Sequence, residues 1–132
     1  MTLRASHTGC LLFALLLSLG LVCGCQPLCG NDVLDETKSP SGKLKAVVFE
    51  RDCGATTRFG YQVSLIPSNE NLPSEAGNVF AADDNHGAVV PMYIRTRWES
   101  DHSLVIECPK NTRVFSKRNQ LAGVSISYKT PP

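Results

Sequence analysis

The sequence predicts an all-β fold, a small antiparallel sandwich or open barrel of about six or seven short strands after a cleaved signal peptide. Several segments alternate apolar and polar side chains with a period of two, which is typical of half-buried strands. Turn-forming residues separate these segments. No segment after residue 25 has a helical period of useful length, because Pro73 and Gly77 interrupt the helix formers of positions 69–78.

The amino terminus has the pattern of an export signal. Arg4 and His7 precede an apolar run of 13 residues, from position 10 to position 22. A helix that spans a bilayer needs roughly 20 apolar residues, whereas the core of a signal peptide needs about 7 to 15. We therefore predict that residues 1–24 form a signal peptide that is removed.

The end of this run resembles a bacterial lipoprotein signal, in which a dedicated peptidase cuts before a cysteine that then carries acyl chains. Cys25 is the better acceptor, because the small Gly24 precedes it, whereas the branched Val22 precedes Cys23. Acylation would attach the chain to a membrane, since two or more acyl chains give a stable hold. An ordinary signal peptidase could cut the same bond and leave Cys25 unmodified.

The resemblance to lipoproteins also implies a location. Gln26 follows the predicted acylated cysteine, where an aspartate commonly retains lipoproteins in the inner membrane. We therefore expect a lipid-anchored protein of the bacterial cell envelope, on the outer membrane facing the periplasm if the cell has two membranes.

Cleavage leaves 108 residues, which is enough for one small domain. Residues 25–42 are predicted to form the acylated terminus and a short linker, because positions 30–42 are polar and end in a turn at Pro40, Ser41 and Gly42. Residues 43–132 are predicted to form a single β domain. Without Arg4 the 13 basic residues fall to 12, against 12 acidic ones. This balance gives no indication of nucleic-acid binding.

Alternation of side chains identifies the strands in order. The first candidate, 43–51, alternates at Leu44, Ala46 and Val48, and the second, 59–65, keeps its apolar residues on one parity. The segment 78–82 is a short third candidate. The remaining candidates are 92–98, 104–108, 113–117 and 124–128.

In two of these candidate strands, the side chains separate into an apolar face and a polar or charged face. In the fourth, Ile94, Thr96 and Trp98 share one face, and arginines occupy the other. In the last, we expect Val124, Ile126 and Tyr128 to point inward and the two serines between them to point outward. These alternating apolar residues are best explained as the core of the domain.

Residues 39–66 resemble a segment shared by a family of small bacterial lipoproteins whose domain has no known function. The shared segment is close to S-P-x-G-x-x-x-A-V-V-F-x-R-D-C-G-A-T-T-x-F. The matching positions here are Ser39, Pro40, Gly42, Ala46, Val47, Val48, Phe49, Arg51, Asp52, Cys53, Gly54, Ala55, Thr56, Thr57 and Phe59. The resemblance implies a shared fold and export but no particular activity.

Four cysteines remain after cleavage, at positions 25, 29, 53 and 108. If Cys25 is acylated, the other three can form one disulfide; if it is not, two disulfides are possible in three connectivities. We favour a bond between Cys29 and Cys53, which would stabilise a small exported domain by roughly 3 to 4 kcal/mol. A zinc site would need a second cysteine pair or histidines at ligand spacing, so no metal is predicted.

Cysteine could also act as a nucleophile. Arg51 could lower the pKa of Cys53, but neither His86 nor His102 lies in a motif that would supply a base. In an oxidising compartment a structural disulfide is the favoured use of Cys53. Cys108 is the other candidate thiol.

The segment 83–87 is faintly similar to a calcium-binding loop, with Asp83 and Asn85 at alternate positions. It lacks the third ligand and the later glutamate of such a loop, so a solvated turn is favoured. Motifs of common hydrolases, nucleotide-binding proteins and metalloproteases are absent from the sequence. We predict no catalytic residues and no cofactor.

Three classes of function remain open. The leading one is a non-catalytic envelope module that presents a β surface to an envelope protein or a glycan. The second is an inhibitor or immunity-type lipoprotein that acts on a periplasmic enzyme. The third is a thiol-dependent enzyme that uses Cys53 or Cys108.

Overall fold

The computed structural model describes residues 29–54, 60–89 and 91–131, which form a two-layered β-sandwich without a helix. The described residues contain nine strands. They are β1 (Gly30–Lys38), β2 (Leu44–Asp52), β3 (Gly60–Pro67), β4 (Phe80–Asp83), β5 (Arg95–Ser100), β6 (Ser103–Glu107), β7 (Arg113–Lys117), β8 (Gln120–Leu121) and β9 (Val124–Lys129).

The strands are divided between two sheets that do not close into a barrel. The first sheet has the order β1-β2-β3-β4-β7, and the second has the order β5-β6-β9-β8. The expected all-β sandwich is therefore confirmed. All neighbours are antiparallel except β6 and β9, which are parallel, so the antiparallel sandwich contains one parallel pair. Two parallel strands need a crossover connection, which here passes through β7 in the opposite sheet.

The main core lies between the sheets. The predicted alternation in β9 is confirmed, since Val124 and Ile126 are buried and Ser125 and Ser127 are exposed. Residues from both sheets complete this core; among them are Ala46, Val48, Val63, Leu65, Val79, Phe80, Ala82, Ile94, Leu104 and Ile106. The burial of these side chains is the main term that stabilises the sandwich.

A second, smaller core covers the outer face of the first sheet. Val47, Phe49 and Ile66 are buried there, and Leu72 from the following loop packs against them. Strand β2 is consequently buried on both faces, which accounts for its continuous run of apolar residues.

The loop 68–79 lies over this second core and is held by polar contacts. The Asn31 side chain donates to the carbonyl oxygens of Pro73 (3.0 Å) and Glu75 (2.9 Å). The Gly77 backbone N–H donates to the Gln62 side chain at 2.6 Å. The prediction that this segment is a loop and no helix is confirmed.

Strand β1 corrects the predicted linker over residues 25–42. Residues 30–38 form an edge strand that pairs with β2 at eight positions, and only the turn after Lys38 agrees with the prediction. The prediction was wrong because none of the nine side chains of β1 is buried, so the strand has no apolar alternation. Residues 25–28 lie outside the described residues.

Strand β8 is the other element that the sequence did not predict. It has only two residues, Gln120 and Leu121, which is too short for a pattern of period two. The nine strands of the described residues therefore exceed the six or seven predicted.

Gly77 offers a test of the packing under the loop. A Cβ added there would lie 2.7 Å from the Phe80 carbonyl oxygen and 2.9 Å from that of Val63. We expect Gly77→Ala to lower the free energy of unfolding by about 1 to 3 kcal/mol, because backbone cannot move aside cheaply. Gly30→Ala is the control, since nothing lies within 4 Å of its added Cβ. Urea denaturation measures both, and equal stabilities would contradict the packing described.

Candidate functional site

A disulfide joins the edge strand β1 to its neighbour β2 at the end of the sandwich where the chain enters it. The sulfurs of Cys29 and Cys53 are 2.03 Å apart, and the two residues follow directly on the Gly30–Asp52 pair of the β1–β2 ladder. This is the pairing that the sequence favoured. The bond fixes the start of β1 against the end of β2.

Arg51 does not serve the thiol chemistry considered for Cys53. Its guanidinium donates to the Asn31 side chain at 2.6 Å and to the Ser74 carbonyl oxygen at 3.2 Å. It therefore connects β1 to the loop that covers the second core. The Cys53 sulfur is bonded in the disulfide, so it is not a free nucleophile in this structure.

Cys108 is the free cysteine among the described residues. Burial raises the pKa of its thiol, and the nearby Lys117 lowers the pKa by less. A raised pKa keeps the thiol protonated at neutral pH, which makes Cys108 a poor nucleophile. The predicted acylation site Cys25, the signal peptide and residues 55–59 of the family-like segment lie outside the described residues.

At the other end of β1, three turns surround a pocket of about 310 Å³, called here the three-turn pocket. The turns connect β1 to β2, β5 to β6 and β8 to β9. The lining residues are Ser39, Ser41, Lys43, Leu44, Asp101, His102 and Ala122. Five of these seven side chains are polar or charged, and apolar surface lies beside them, so the pocket suits a ligand that has both hydrogen-bonding groups and an apolar face.

Local sequence shapes each of the three turns. Ser-Pro-x-Gly suits a turn in which proline presets the backbone and Gly42, at a φ of 71°, supplies the left-handed position. The Gly42 N–H donates to the Ser39 carbonyl oxygen at 2.8 Å. In the third turn Ala122 and Gly123 have φ angles of 50° and 77°.

Hydrogen bonds between the turns hold the pocket in shape. The Ser41 backbone N–H donates to Asp101 Oδ1 at 2.8 Å. His102 Nδ1 lies 3.3 Å from the carbonyl oxygen of Gly123. The Ser39 hydroxyl accepts the Leu44 N–H at 3.3 Å. The pocket is therefore formed before any ligand binds.

The pocket contains opposite charges at separate positions. The hydroxyl and backbone N–H of Ser41, followed by the hydroxyl of Ser39, lower the pKa of Asp101, so this carboxylate is ionised at neutral pH. Among the described residues the Lys43 ammonium makes no ion pair, including none with Asp101. One anionic and one cationic group are thus both available to a ligand.

The sequence did not predict this site. Ser41 and Asp101 are 60 positions apart, and the segments around them were interpreted as a linker turn and a hairpin turn. No local pattern could have joined them, because their proximity depends on β1 lying beside β5 at the edge of the sandwich.

A second polar cluster lies at the disulfide end. Asp83 is almost fully buried; its Oδ1 accepts from Arg113 Nε at 3.1 Å and from the Asn85 N–H at 2.9 Å. Its Oδ2 accepts from Arg113 Nη2. Arg113 Nη1 lies 2.7 Å from His86 Nε2. These bonds occupy both oxygens of Asp83.

The segment 83–87, which is faintly similar to a calcium-binding loop, is part of this cluster. Asn85, His86 and Gly87 have φ angles of 51°, 61° and 82°, which make a tight left-handed turn after β4. The favoured prediction of a turn is confirmed. In the parts of the chain that the structure describes, no group of three or more His, Cys, Asp or Glu residues is placed to hold a metal ion.

A scan of the chain against protein-family models found no match. Searches of curated proteins and of solved structures found no match either. The resemblance of residues 39–66 to a lipoprotein family therefore stays a prediction. Across residues 29–54, 60–89 and 91–131, no helix has the length and apolar character to cross a membrane.

The Asp83 cluster should stabilise the fold in a pH-dependent way. The side-chain hydrogen bonds from Arg113 hold the pKa of Asp83 below its ordinary value of 3.8. Because the folded state lowers this pKa, the contribution is complete above the ordinary value and is lost as pH falls through the lowered one. We expect Asp83→Asn to lower the free energy of unfolding at pH 7 by about 2 kcal/mol, given that Arg113 is partly exposed.

Urea denaturation between pH 7 and pH 2.5 measures this effect. The difference between Asp83→Asn and the parent protein should shrink below pH 3.8, because protonation removes the same charge from the parent. Asp32→Asn is the control, because Asp32 is exposed on β1. A difference that does not change with pH would show that the Asp83 charge contributes nothing.

Proposed function

We propose that this protein is a non-catalytic binding module of the bacterial cell envelope, held at a membrane by acyl chains on Cys25. One observation carries the proposal: the disulfide at Cys29 and the three-turn pocket lie at opposite ends of β1. The chain therefore enters the domain at one end and offers a polar pocket at the other.

The length of chain on each side of Cys29 determines how far the disulfide and the three-turn pocket would lie from the membrane. Four residue steps separate Cys25 from Cys29, a reach of about 14 Å at most. From Cys29 to Ser39 the extended chain covers roughly 30 Å. An acylated Cys25 would hold the disulfide end close to the membrane and turn the three-turn pocket toward the space beyond it.

The state of the cysteines favours binding over catalysis. The sulfur of Cys53 is bonded to Cys29, and burial raises the pKa of the Cys108 thiol. Neither of the two thiols proposed as nucleophiles has the activated form that thiol chemistry requires. The preformed three-turn pocket is typical of a site that recognises a ligand.

An inhibitor of a periplasmic enzyme is the second candidate function. It is favoured by Val114 and Phe115 on the edge strand β7, whose side chains are 43% and 61% exposed. Exposed aromatic side chains are frequent anchors of protein interfaces. A protein partner would bury Phe115 and leave the three-turn pocket open, so the position of the protected surface separates the two functions.

Acylation can be tested with single cysteine substitutions. We expect the parent protein, expressed in bacteria fed an alkyne fatty acid, to carry the label and to sediment with membranes. Cys25→Ser should lose the label and leave the membrane fraction, because Cys25 is the proposed acceptor. Cys108→Ser is the matched control and should behave like the parent. Label that persists in Cys25→Ser, or its absence from the parent, would refute the lipid anchor.

A further inference from the structure

We infer that the three-turn pocket binds an acidic sugar unit of a glycan, with the sugar carboxylate at Lys43 and sugar hydroxyls at Asp101 and the neighbouring serines. The inference rests on the proposed function, because it names the class of ligand that the binding module takes.

The size of the pocket limits the ligand to a small unit. Its volume of about 310 Å³ lies at the lower end of the range for small-molecule sites, roughly 300 to 1,000 Å³. Leu44 and Ala122 are its only lining residues without a polar side chain. One sugar ring fits this volume, whereas an apolar ligand would displace water from the Asp101 carboxylate and the Lys43 ammonium without replacing its hydrogen bonds.

The charges of Lys43 and Asp101 determine which kind of polar ligand the pocket favours. The Lys43 ammonium only donates hydrogen bonds, and the ionised Asp101 carboxylate only accepts them. In phosphate the negative charge is spread over all the oxygens, so no uncharged group remains to face Asp101 when the anion lies at Lys43. An ammonium group, as at a peptide terminus, would be attracted to Asp101 but repelled by Lys43. A sugar acid has one anionic group for Lys43 and several uncharged hydroxyls for Asp101.

The hydrogen bonds already made leave capacity for such a ligand. Asp101 interacts with the Ser41 N–H and with the hydroxyls of Ser41 and Ser39, and because a carboxylate has about four acceptor positions, one remains for a ligand hydroxyl. His102 uses Nδ1 toward Gly123, and its Nε2 remains for the ligand. The Ser39 and Ser41 hydroxyls, 3.4 Å apart, can both donate and accept, as sugar hydroxyls do. The pocket therefore offers both donors and acceptors to a ligand.

The pocket is also preorganised. Its three turns are tied to one another by the Ser41–Asp101 and His102–Gly123 contacts. A ligand need not order these turns on binding, which reduces the entropy cost. Weak hydrogen bonds to a single sugar ring can then give measurable affinity.

Amide NMR of the full chain, purified in a polyoxyethylene detergent that carries no sugar, tests the inference. We expect methyl β-D-glucuronide to shift the amides of Ser41, Gly42, His102 and Gly123 in a saturable manner. Methyl β-D-glucoside, which lacks the carboxylate, should bind at least tenfold more weakly. Lys43→Gln should weaken glucuronide binding by about tenfold, the effect of one charge-assisted hydrogen bond.

Lys110→Gln is the matched control, because it removes the same charge from an exposed lysine beyond the opposite end of β6. It should leave glucuronide binding unchanged. Equal affinity for the two glycosides, or unchanged affinity in Lys43→Gln, would overturn the inference. The same holds if phosphate or alanyl-alanine shifts these amides while the glucuronide does not.

The acylation experiment and the glucuronide titration can fail independently of each other. Absence of the lipid label from the parent protein would refute the anchor at Cys25 and leave binding of the glucuronide to the pocket unaffected. Release of methanol from the glucuronide during the titration would support the ligand class but overturn the non-catalytic role.

Discussion

The Cys29–Cys53 disulfide fastens the first strand to the domain at the point where the chain enters it. We expect β1 to depend on this bond, because none of its side chains is buried and its attachment gains little from the hydrophobic effect. Its other contacts are polar and include the ladder to β2, the Thr37 hydroxyl 2.7 Å from that of Thr96, and the Trp98 indole N–H, which donates to the Thr37 carbonyl oxygen at 3.0 Å. The last two contacts join the edges of the two sheets. They bring the turn after β1 next to the turn after β5, and the three-turn pocket depends on that proximity.

The strands that face the core could be predicted from sequence, and the reason is visible in β9. Its serines and apolar residues alternate because one face meets the core and the other meets water. The same argument failed for β1, whose edge position and mostly exposed side chains remove any apolar pattern. It also gave an incomplete account of β2, where Val47 and Phe49 are buried under the loop 68–79. A pattern of period two describes one covered face, and it cannot reveal that a loop covers the other.

One part of the candidate site could be predicted from sequence and the other could not. The disulfide could be favoured from sequence because few cysteines remain after cleavage and an oxidising compartment pairs them. The three-turn pocket could not, because its charged residues, Lys43 and Asp101, come from turns that only the folded sandwich brings together. Bulges at Leu34 in β1 and Phe115 in β7 interrupt both edges of the first sheet. Such bulges discourage pairing between copies of the chain, which agrees with recognition through the pocket end.

The disulfide is expected to make β1 an integral strand and so to link the entry of the chain to the pocket. Amide hydrogen exchange, measured site by site in the oxidised and the reduced protein, tests it most directly. We expect reduction to lower the protection of the β1 amides, residues 31–38, far more than that of β6 and β9, whose apolar side chains lie in the main core. Unchanged protection of β1 after reduction would contradict it, because the ladder and the polar contacts would then hold the strand without the covalent bond.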